Sequence, residues 1–479
     1  MKFKKILAAF AAAGGGLTIA LAGSAVPAVA ATGTYGYDNN AHIVVGGGSD
    51  TTYKAMTALS AIYNTASIAG CVTQTSATGA NQSPQLNQCS PSSQLPTGLN
   101  ANFERDTTAQ ASPTGSSAGI ASLNSDASIG GNDAPGAYPY QGTSSAGQKV
   151  DFARSSRAFK STGGNCVGGN ELTCDTFWGF AEDGVEVFGF GSHGGVDLTP
   201  NQIFKIYSCA PDARTWGQVL GTSDPAPIVP WGMNPASGTF ATFNSYLQGP
   251  GGGTSGFTVD DNLSKNPYPT PPGCVRQLST NTPPFENDVK PLFNDVQNNQ
   301  GGIKSDGGVN DPSNWLWFGS FGLLSAFPYD NTYTTPDGTL SFTGNPDSIN
   351  GSLPSTGSIS GKTYPIIRTL YHVTPKASAD CPTTTGACDF NGNPGPMVTG
   401  SDGTTQVSDL NVNGASGGTA GAVREFTRFL CRVNGSQQPV DPYTGVNLFT
   451  EIAAAKTASG FTAVPTTLRT PGSSCAVNH

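Results

Sequence analysis

Three times along the chain a Ser or Thr stands beside Gly where an apolar run gives way to a helical period, and this pairing constrains the fold more than any single motif. Ile43, Val44 and Val45 form a β-branched run that ends in the glycines at 46–48. After Ser49, Thr51 and Thr52, the residues Tyr53, Met56, Leu59, Ile62 and Tyr63 recur at helical spacing. Gly115, Ser116 and Ser117 open a second helix. Ile228 and Val229 run into Ser237, Gly238 and Thr239, after which Phe240, Phe243, Tyr246 and Leu247 mark an apolar helical face. Thr199 followed by Pro200 reads as an N-cap with proline in the first turn, before Ile203, Phe204 and Tyr207. Val423, Phe426, Phe429, Leu430 and Val433 mark one more helix. Short strands alternating with amphipathic helices make an α/β chain and argue against an all-β surface module.

Between these elements the chain is rich in Gly (63) and Pro (35), and long surface loops are expected at 74–99, 130–148, 248–273, 331–363 and 381–420. Such composition alone would point to disorder, but 24 Phe, five Trp and 36% hydrophobic residues supply a core. A length of 479 residues allows two to three domain-sized units, and no repeat of fixed period is visible. Charged residues are only 11% and the net charge is −9, so nucleic acid and anionic membranes are not expected partners.

Lys2, Lys4 and Lys5, an apolar run over 6–22 and the triplet Ala28, Val29, Ala30 have the form of a secretory signal over residues 1–30. No cysteine stands directly after the cleavage point, so no lipid anchor is expected, and no later segment has the length and apolarity of a membrane span. The expected location is extracellular, with cell-surface association left open. All ten cysteines lie beyond the signal, as an oxidising compartment requires. Their spacing favours local pairs, Cys71 with Cys89, Cys166 with Cys174, Cys209 with Cys274, Cys381 with Cys388 and Cys431 with Cys475, although spacing does not prove connectivity. No C-x-x-C occurs and the chain has only four histidines, His42, His193, His372 and His479, so neither a metal centre nor a cofactor is expected.

The three Ser/Thr-Gly helix starts offer free backbone N–H groups, hydroxyls and the positive end of a helix dipole, which together suit a small anion. For any one of them ordinary N-capping is the better explanation, and it is the occurrence of three that shifts the balance modestly toward an anion. In the segment from Val150 to Arg157, Ser155 and Ser156 lie between Arg154 and Arg157; a guanidinium fork matches an oxyanion bidentately, and the plain alternative is a solvated arginine pair. Catalytic patterns are poorer. G-x-S-x-G occurs at 115–119 and 414–418, which in a glycine-rich chain carries little weight, and a hydrolase would need a histidine beside Ser116 or Ser416. There is no P-loop and no H-E-x-x-H. The sequence LPSTG at 353–357 imitates a sorting signal but lacks a hydrophobic tail and reads as a loop. Trp315, Leu316, Trp317 and Phe318 read as core or interlobe packing.

Taken in order, the glycine loop with Thr51, Thr52 and Tyr53, GSSAGI at 115–120, VDFARSS at 150–156, LTPNQIFKIY with the following Trp216, SGTFATFNSYL at 237–247 and YPIIRTLY at 364–371 resemble the phosphate-binding-protein-like (Pst-type) extracellular substrate-binding proteins of ABC transporters. The resemblance covers about residues 43–432. It implies a type II periplasmic-binding-protein fold: two α/β lobes joined by two crossings, here near 188–192 and 368–372. The lobes are then 31–187 plus 368–479, and 188–367. Carried over residue by residue, it implies ligand contacts from Thr51, Thr52 and Tyr53, from Ser116 with Ser117, and from Ser237, Gly238 and Thr239. It also implies a transporter membrane component as partner. Where phosphate-specific members carry a proton-accepting aspartate this chain has Ser156; where they carry an anion-pairing arginine it has Met233, with Pro235 at a second acidic position. Arg154, with Ser155 and Ser156, is the candidate to supply the missing charge.

The expected function is capture of a small oxyanion, phosphate first, by a monomeric, secreted, non-enzymatic binding protein. A surface or matrix protein that keeps the fold without small-ligand transport is the alternative, and a secreted hydrolase the third reading.

Overall fold

The computed structural model describes residues 46–68, 115–125, 152–164, 166–264, 273–285, 288–328, 330–375, 397–399, 406–408, 427, 429–431, 448–470 and 473–478. The first part of the chain gives β1 (Gly46–Gly48), α1 (Tyr53–Ile68), α2 (Ser116–Ser125), β2 (Phe152–Ser155) and β3 (Asp175–Phe190). There follow β4 (Asp197–Leu198), α3 (Pro200–Tyr207), α4 (Trp216–Leu220), β5 (Val229–Pro230), α5 (Gly238–Gln248), α6 (Lys290–Asn299), β6 (Trp315–Ser320) and α7 (Phe321–Ala326). The last part holds β7 (Thr332–Thr334), β8 (Ser341–Pro346), β9 (Ser348–Ile349), α8 (Thr356–Ser360), β10 (Ile367–Pro375), β11 (Met397–Thr399), β12 (Gln406–Ser408), α9 (Leu448–Ala458) and β13 (Ala476–Asn478).

β3 is 16 residues long and buried throughout, and it organises the molecule. It pairs antiparallel with β10 from Asp175 to Gly184, then with β6 from Val185 to Gly189. The sheet order is β1-β2-β10-β3-β6-β5, with β13 and β8 also on β3. Two half-sheets therefore share one strand, and the partner changes between Gly184 and Val185. A register shift at Leu370 and Tyr371 of β10 lies close to that change, where an irregularity increases twist.

Strand alternation places side chains on both faces of the first half-sheet. Phe152, Trp178, Phe180 and Leu370 pack with Ala55, Met56 and Leu59 of α1 and Ile452 of α9. On the other face Ala153, Phe177, Tyr371 and Val373 pack with Ile120 and Leu123 of α2. The second half-sheet has a separate core in which Val185, Val187 and residues 315–318 meet Ile203, Tyr207, Trp216, Phe243 and Phe293. Each such large apolar side chain contributes about 1.5–3 kcal/mol on burial. Helices on both sides of a mixed sheet, split into two cores, make the two-lobed α/β architecture. The aromatic run at 315–318 is core, as its sequence implies.

Helix α3 starts as the sequence predicts: Thr199 caps it in a reciprocal box with Gln202, and proline occupies the first turn. At β1 there is a correction, because the three glycines expected as a loop are themselves the strand, while residues 43–45 lie outside the described residues. The stretch 331–363 is likewise no long loop. It holds the β7–β8 pair, β9 and α8, and its strands are joined across by Thr332 with Thr343 and Thr334 with Ser341, each at 3.1 Å. Ser355 caps α8, so the LPSTG sequence leads into a helix. Most of 381–420 lies outside the described residues, but β11 and β12 there pair with each other. The expected loops 74–99 and 130–148, the signal at 1–30, and most of the expected helix around 423–433 also lie outside. Among the described residues no helix is long and apolar enough to cross a membrane.

Cys166–Cys174, Cys209–Cys274 and Cys431–Cys475 are disulfide-bonded, three of the local pairs expected. The pairs 71 with 89 and 381 with 388 lie outside the described residues. Cys209–Cys274 closes a loop of sequence separation 65. Its double serine variant should therefore lose about 4 kcal/mol of unfolding free energy, read by urea titration of the oxidised proteins.

Several carboxyls are buried in the fold. Burial pushes Asp175 up to about 7, although the hydrogen bond from Asn124 opposes it, and pushes Asp347 up to about 8, although the Val196 and Gly195 N–H groups oppose it. A carboxyl raised in the folded state contributes most when protonated in both states, below about 4, and the contribution is lost as pH rises through its folded value. His372, lowered to about 3 by burial, works in the opposite sense up to its ordinary value near 6.5. The carboxyls outnumber it, so the melting temperature should fall between about pH 5 and pH 7 in scanning calorimetry. Asp347→Asn keeps an oxygen for the Gly195 and Val196 N–H groups and should flatten that fall.

Candidate functional site

The ends of β1 and β2 lie side by side because the strands pair in parallel, Gly48 opposite Arg154. The chain leaving β1 therefore carries Ser49, Asp50, Thr51 and Thr52 next to Ser155 and Ser156. Helix α2 begins against the same edge: the Gly115 N–H donates to the Gly48 carbonyl at 2.9 Å. A Cβ on Gly119 would stand 2.5 Å from Gly48 Cα, so only glycine allows this backbone-to-backbone approach. From the other lobe, the start of α5 arrives at the same place. The Ser117 N–H donates to the Ala236 carbonyl at 3.1 Å, joining the two helix starts across the lobes.

Here the hydroxyls bond one another. Ser49 Oγ donates to Ser156 Oγ at 2.9 Å, Ser116 Oγ lies 3.2 Å from Ser156 Oγ, and the Ser156 N–H donates to Ser116 Oγ at 2.9 Å. Gly238 presses onto them, since a Cβ there would lie 2.5 Å from Ser116 Oγ and closer still to Ser156 Oγ. Ser237 caps α5, its Oγ accepting from the Thr239 N–H at 3.1 Å.

Thr51, Ser116, Ser156, Gly238 and Thr239 are thus brought together. Other predicted contacts have local duties. Thr52 Oγ1 donates to the Ser49 carbonyl at 3.3 Å, and Ser155 Oγ donates to the Arg157 carbonyl at 2.8 Å. Ser117 Oγ accepts from Arg157 Nε at 3.1 Å. Arg157 itself is held by Glu171 through two bonds of 2.8 Å. Arg154 is buried, its Nη1 donating to the Ser49 carbonyl at 2.6 Å and its guanidinium carbon 5.4 Å from the Tyr53 ring centroid. Burial pushes Asp50 up to about 6, although the Arg154 charge opposes it. Met233 is fully buried in the second core.

A residue that sequence reasoning placed only at a crossing stands at the centre. Arg368, on β10, donates through Nη2 to Thr51 Oγ1 at 3.2 Å and through Nη1 to Thr239 Oγ1 and, at 3.5 Å, to the Ser156 carbonyl. Its Nε and Nη2 donate to Asp183 Oδ2 at 3.0 and 2.8 Å. Asp183 also accepts from Ser320 Oγ at 2.8 Å and the Gly322 N–H at 2.9 Å. The available signal was Asp183 itself: a carboxylate inside a long apolar strand requires a cation or several donors.

A nucleophilic role for Ser116, or for Ser117 at the centre of the G-x-S-x-G pattern, has no support in this geometry, because the Ser116 hydroxyl meets Ser156 and the Ser117 hydroxyl accepts from Arg157 Nε. The described histidines are engaged elsewhere, His193 with the Ser313 carbonyl and Asp224, His372 with Thr427. Cys166, Cys174 and Asp175 lie together, but the sulfurs are joined to each other.

Two α/β lobes that share a strand, with helix starts from both meeting at one hydroxyl-lined point, define a binding-protein architecture. The chain belongs to the PBP superfamily domain family, whose model matches residues 73–390. Among curated proteins nothing matches the chain. Similar solved structures include a high-affinity periplasmic phosphate-binding protein (PfluDING) bound with phosphate, at 14% identity and TM-score 0.41, covering 89% of this chain and 91% of that one. An ABC-type phosphate transport receptor from Vibrio cholerae is 16% identical at TM-score 0.35, covering 71% and 88%. PstS from Borrelia burgdorferi is 14% identical at TM-score 0.31, covering 69% and 86%. Likeness of this extent assigns no ligand to the chain.

The packing of Gly238 gives a sharp test of the junction. Gly238→Ala should cost about 1–3 kcal/mol in denaturant unfolding, since Ser116 and Ser156 must move. Gly357→Ala on α8, where the nearest atom to a new Cβ is Ser355 Oγ at 3.7 Å, should be neutral or stabilising by up to about 1 kcal/mol.

Proposed function

We propose that this protein is a secreted solute-binding protein that takes a small oxyanion, phosphate first, at the interlobe point and performs no catalysis. The observation that carries this reading is the convergence of Thr51, Ser116, Ser156, Gly238 and Thr239 from both lobes around the Arg368 guanidinium. Two helix N-termini and preorganised hydroxyls in a site shielded from water stabilise negative charge without needing a net positive protein. The closing bodies are 31–187 plus 368–479, and 188–367, a division supported by the change of β3 partner at Gly184 and Val185. A transporter membrane component is the partner of such a monomer, and the acidic chain does not engage nucleic acid.

One observation favours a second reading, a surface or matrix protein that has given up small ligands: the serine hydroxyls already satisfy one another, and the family's arginine position is the core residue Met233. Calorimetric titration of the mature protein with phosphate, sulfate and a phosphonate separates the two. Binding of any of them upholds the first reading; no heat with all three upholds the second.

If the first reading holds, Thr239→Ala should weaken binding about tenfold or more, the worth of one hydrogen bond to a charged group. Ser237→Ala should add a capping loss of about 1 kcal/mol in stability. With Ser156 and Pro235 at the acidic positions, sulfate should be accepted alongside phosphate. A strong preference for phosphate in the same titrations would instead assign the proton-accepting role to the buried Asp50.

A further inference from the structure

Arg368 has five N–H groups in a plane, and Asp183 takes two of them on one side. The remaining edge faces hydroxyls that come from opposite lobes, Thr51 from the turn after β1 and Thr239 from α5, together with the Ser156 carbonyl. Asp183 is fully buried and accepts from four donors, two on Arg368 plus Ser320 Oγ and the Gly322 N–H. It is therefore engaged as the arginine's counter-charge. The pair is neutral overall and fixed in orientation, since Asp183 sits on β3 and Arg368 on β10, and the two residues are partners in the strand register.

We propose that Arg368 is the latch between the lobes and, resting on the oxyanion-binding reading above, the cationic group that a bound anion meets. Arg368 donates to the Thr51 and Thr239 hydroxyls together and so joins them across the junction. With an oxyanion present, the same guanidinium edge offers two parallel N–H donors at the spacing of two oxygens on one phosphorus or sulfur, and the threonine hydroxyls become donors to the remaining oxygens. Selectivity follows from the counter-charge: Asp183 holds the arginine, accepts no proton from the ligand, and so leaves hydrogenphosphate and sulfate undistinguished at this edge. The positive charge lost at Met233 is thus supplied from the strand crossing. Lysine cannot substitute, because a point charge on a flexible stem presents no fixed edge.

The test uses the full mature chain and inorganic phosphate and sulfate as probes. Arg368→Lys should weaken both anions about tenfold or more while the protein remains folded by circular dichroism. Arg368→Gln leaves Asp183 without its counter-charge, so the paired variant Asp183→Asn with Arg368→Gln is measured beside it. Thr51→Val with Thr239→Val removes the latch partners without touching the ion pair. Both double variants should show a larger radius of gyration than wild type by small-angle scattering in anion-free buffer. Wild type that binds phosphate, with Arg368→Lys binding equally well, overturns the assignment of Arg368 as the anion's partner while the binding function stands. Unchanged radii in both double variants overturn the latch. Wild type that binds neither anion, with expanded double variants, leaves the latch supported and removes the oxyanion-binding function together with the arginine's role in it.

Discussion

Strand β3 answers to two sets of neighbours along its length, and the rest of the molecule follows from that demand. Up to Gly184 the strand is a central member of the first half-sheet; from Val185 it belongs to the second. Apolar side chains meet that demand without cost, Phe177 and Phe180 on the two faces of the first half-sheet, Val185 and Phe188 in the core of the second. Carboxylates do not. Asp183, one residue before the changeover, must collect every donor that the two half-sheets can bring: Ser320 and the Gly322 N–H from the second, Arg368 from β10. A buried ion pair of this kind adds little net stability compared with apolar residues of similar size, but removal of one partner leaves a stranded charge. Its value lies in orientation, because it fixes the guanidinium where the two lobes touch.

The junction itself is built by the absence of side chains. Gly48 and Gly119 let the start of α2 lie on β1, and Gly238 lets α5 lie on Ser116 and Ser156. The hydroxyls at such a point are buried, so each needs a partner, and they find one another and Arg368. The same hydroxyls that are proposed to cradle an anion also join the two lobes. This dual use explains why both readings of the protein rest on the same residues, and why they part only over what the hydroxyls donate to.

How far the sequence revealed this depended on whether a feature was local. The Thr199 box, the Ser237 cap, the core run at 315–318 and the Cys209–Cys274 pair were legible because spacing or caps announce them. The β7–β8 pair was read as loop because its strands are joined by Thr and Ser hydroxyls and show little apolar alternation. The glycines of β1 were read as loop because β pairing with β2 overrides glycine's weak strand preference. Arg154 drew attention as a scarce cation beside two serines, yet its Nη1 donates to the Ser49 carbonyl. Arg368 was passed over because its partners stand 129, 185, 212 and 317 residues away in the chain, and no window contains them.

A net charge of −9 bears on the same point. Salt confines the field of exposed charges to about 8–10 Å, so an acidic surface repels an anion only weakly until it is close. At the junction the nearest groups are N–H and O–H donors, two helix starts and a guanidinium already neutralised by Asp183. Attraction there comes from dipoles held in place by backbone and by a buried pair, in surroundings of lower dielectric than water, where each hydrogen bond is stronger. A site of that construction does not need a basic protein around it, and it gains nothing from one beyond the rate of encounter. The acidity of the chain therefore leaves the function of the junction open to either occupant, an anion or the opposing lobe, and gives the decision to the few donors on Arg368, Thr51 and Thr239.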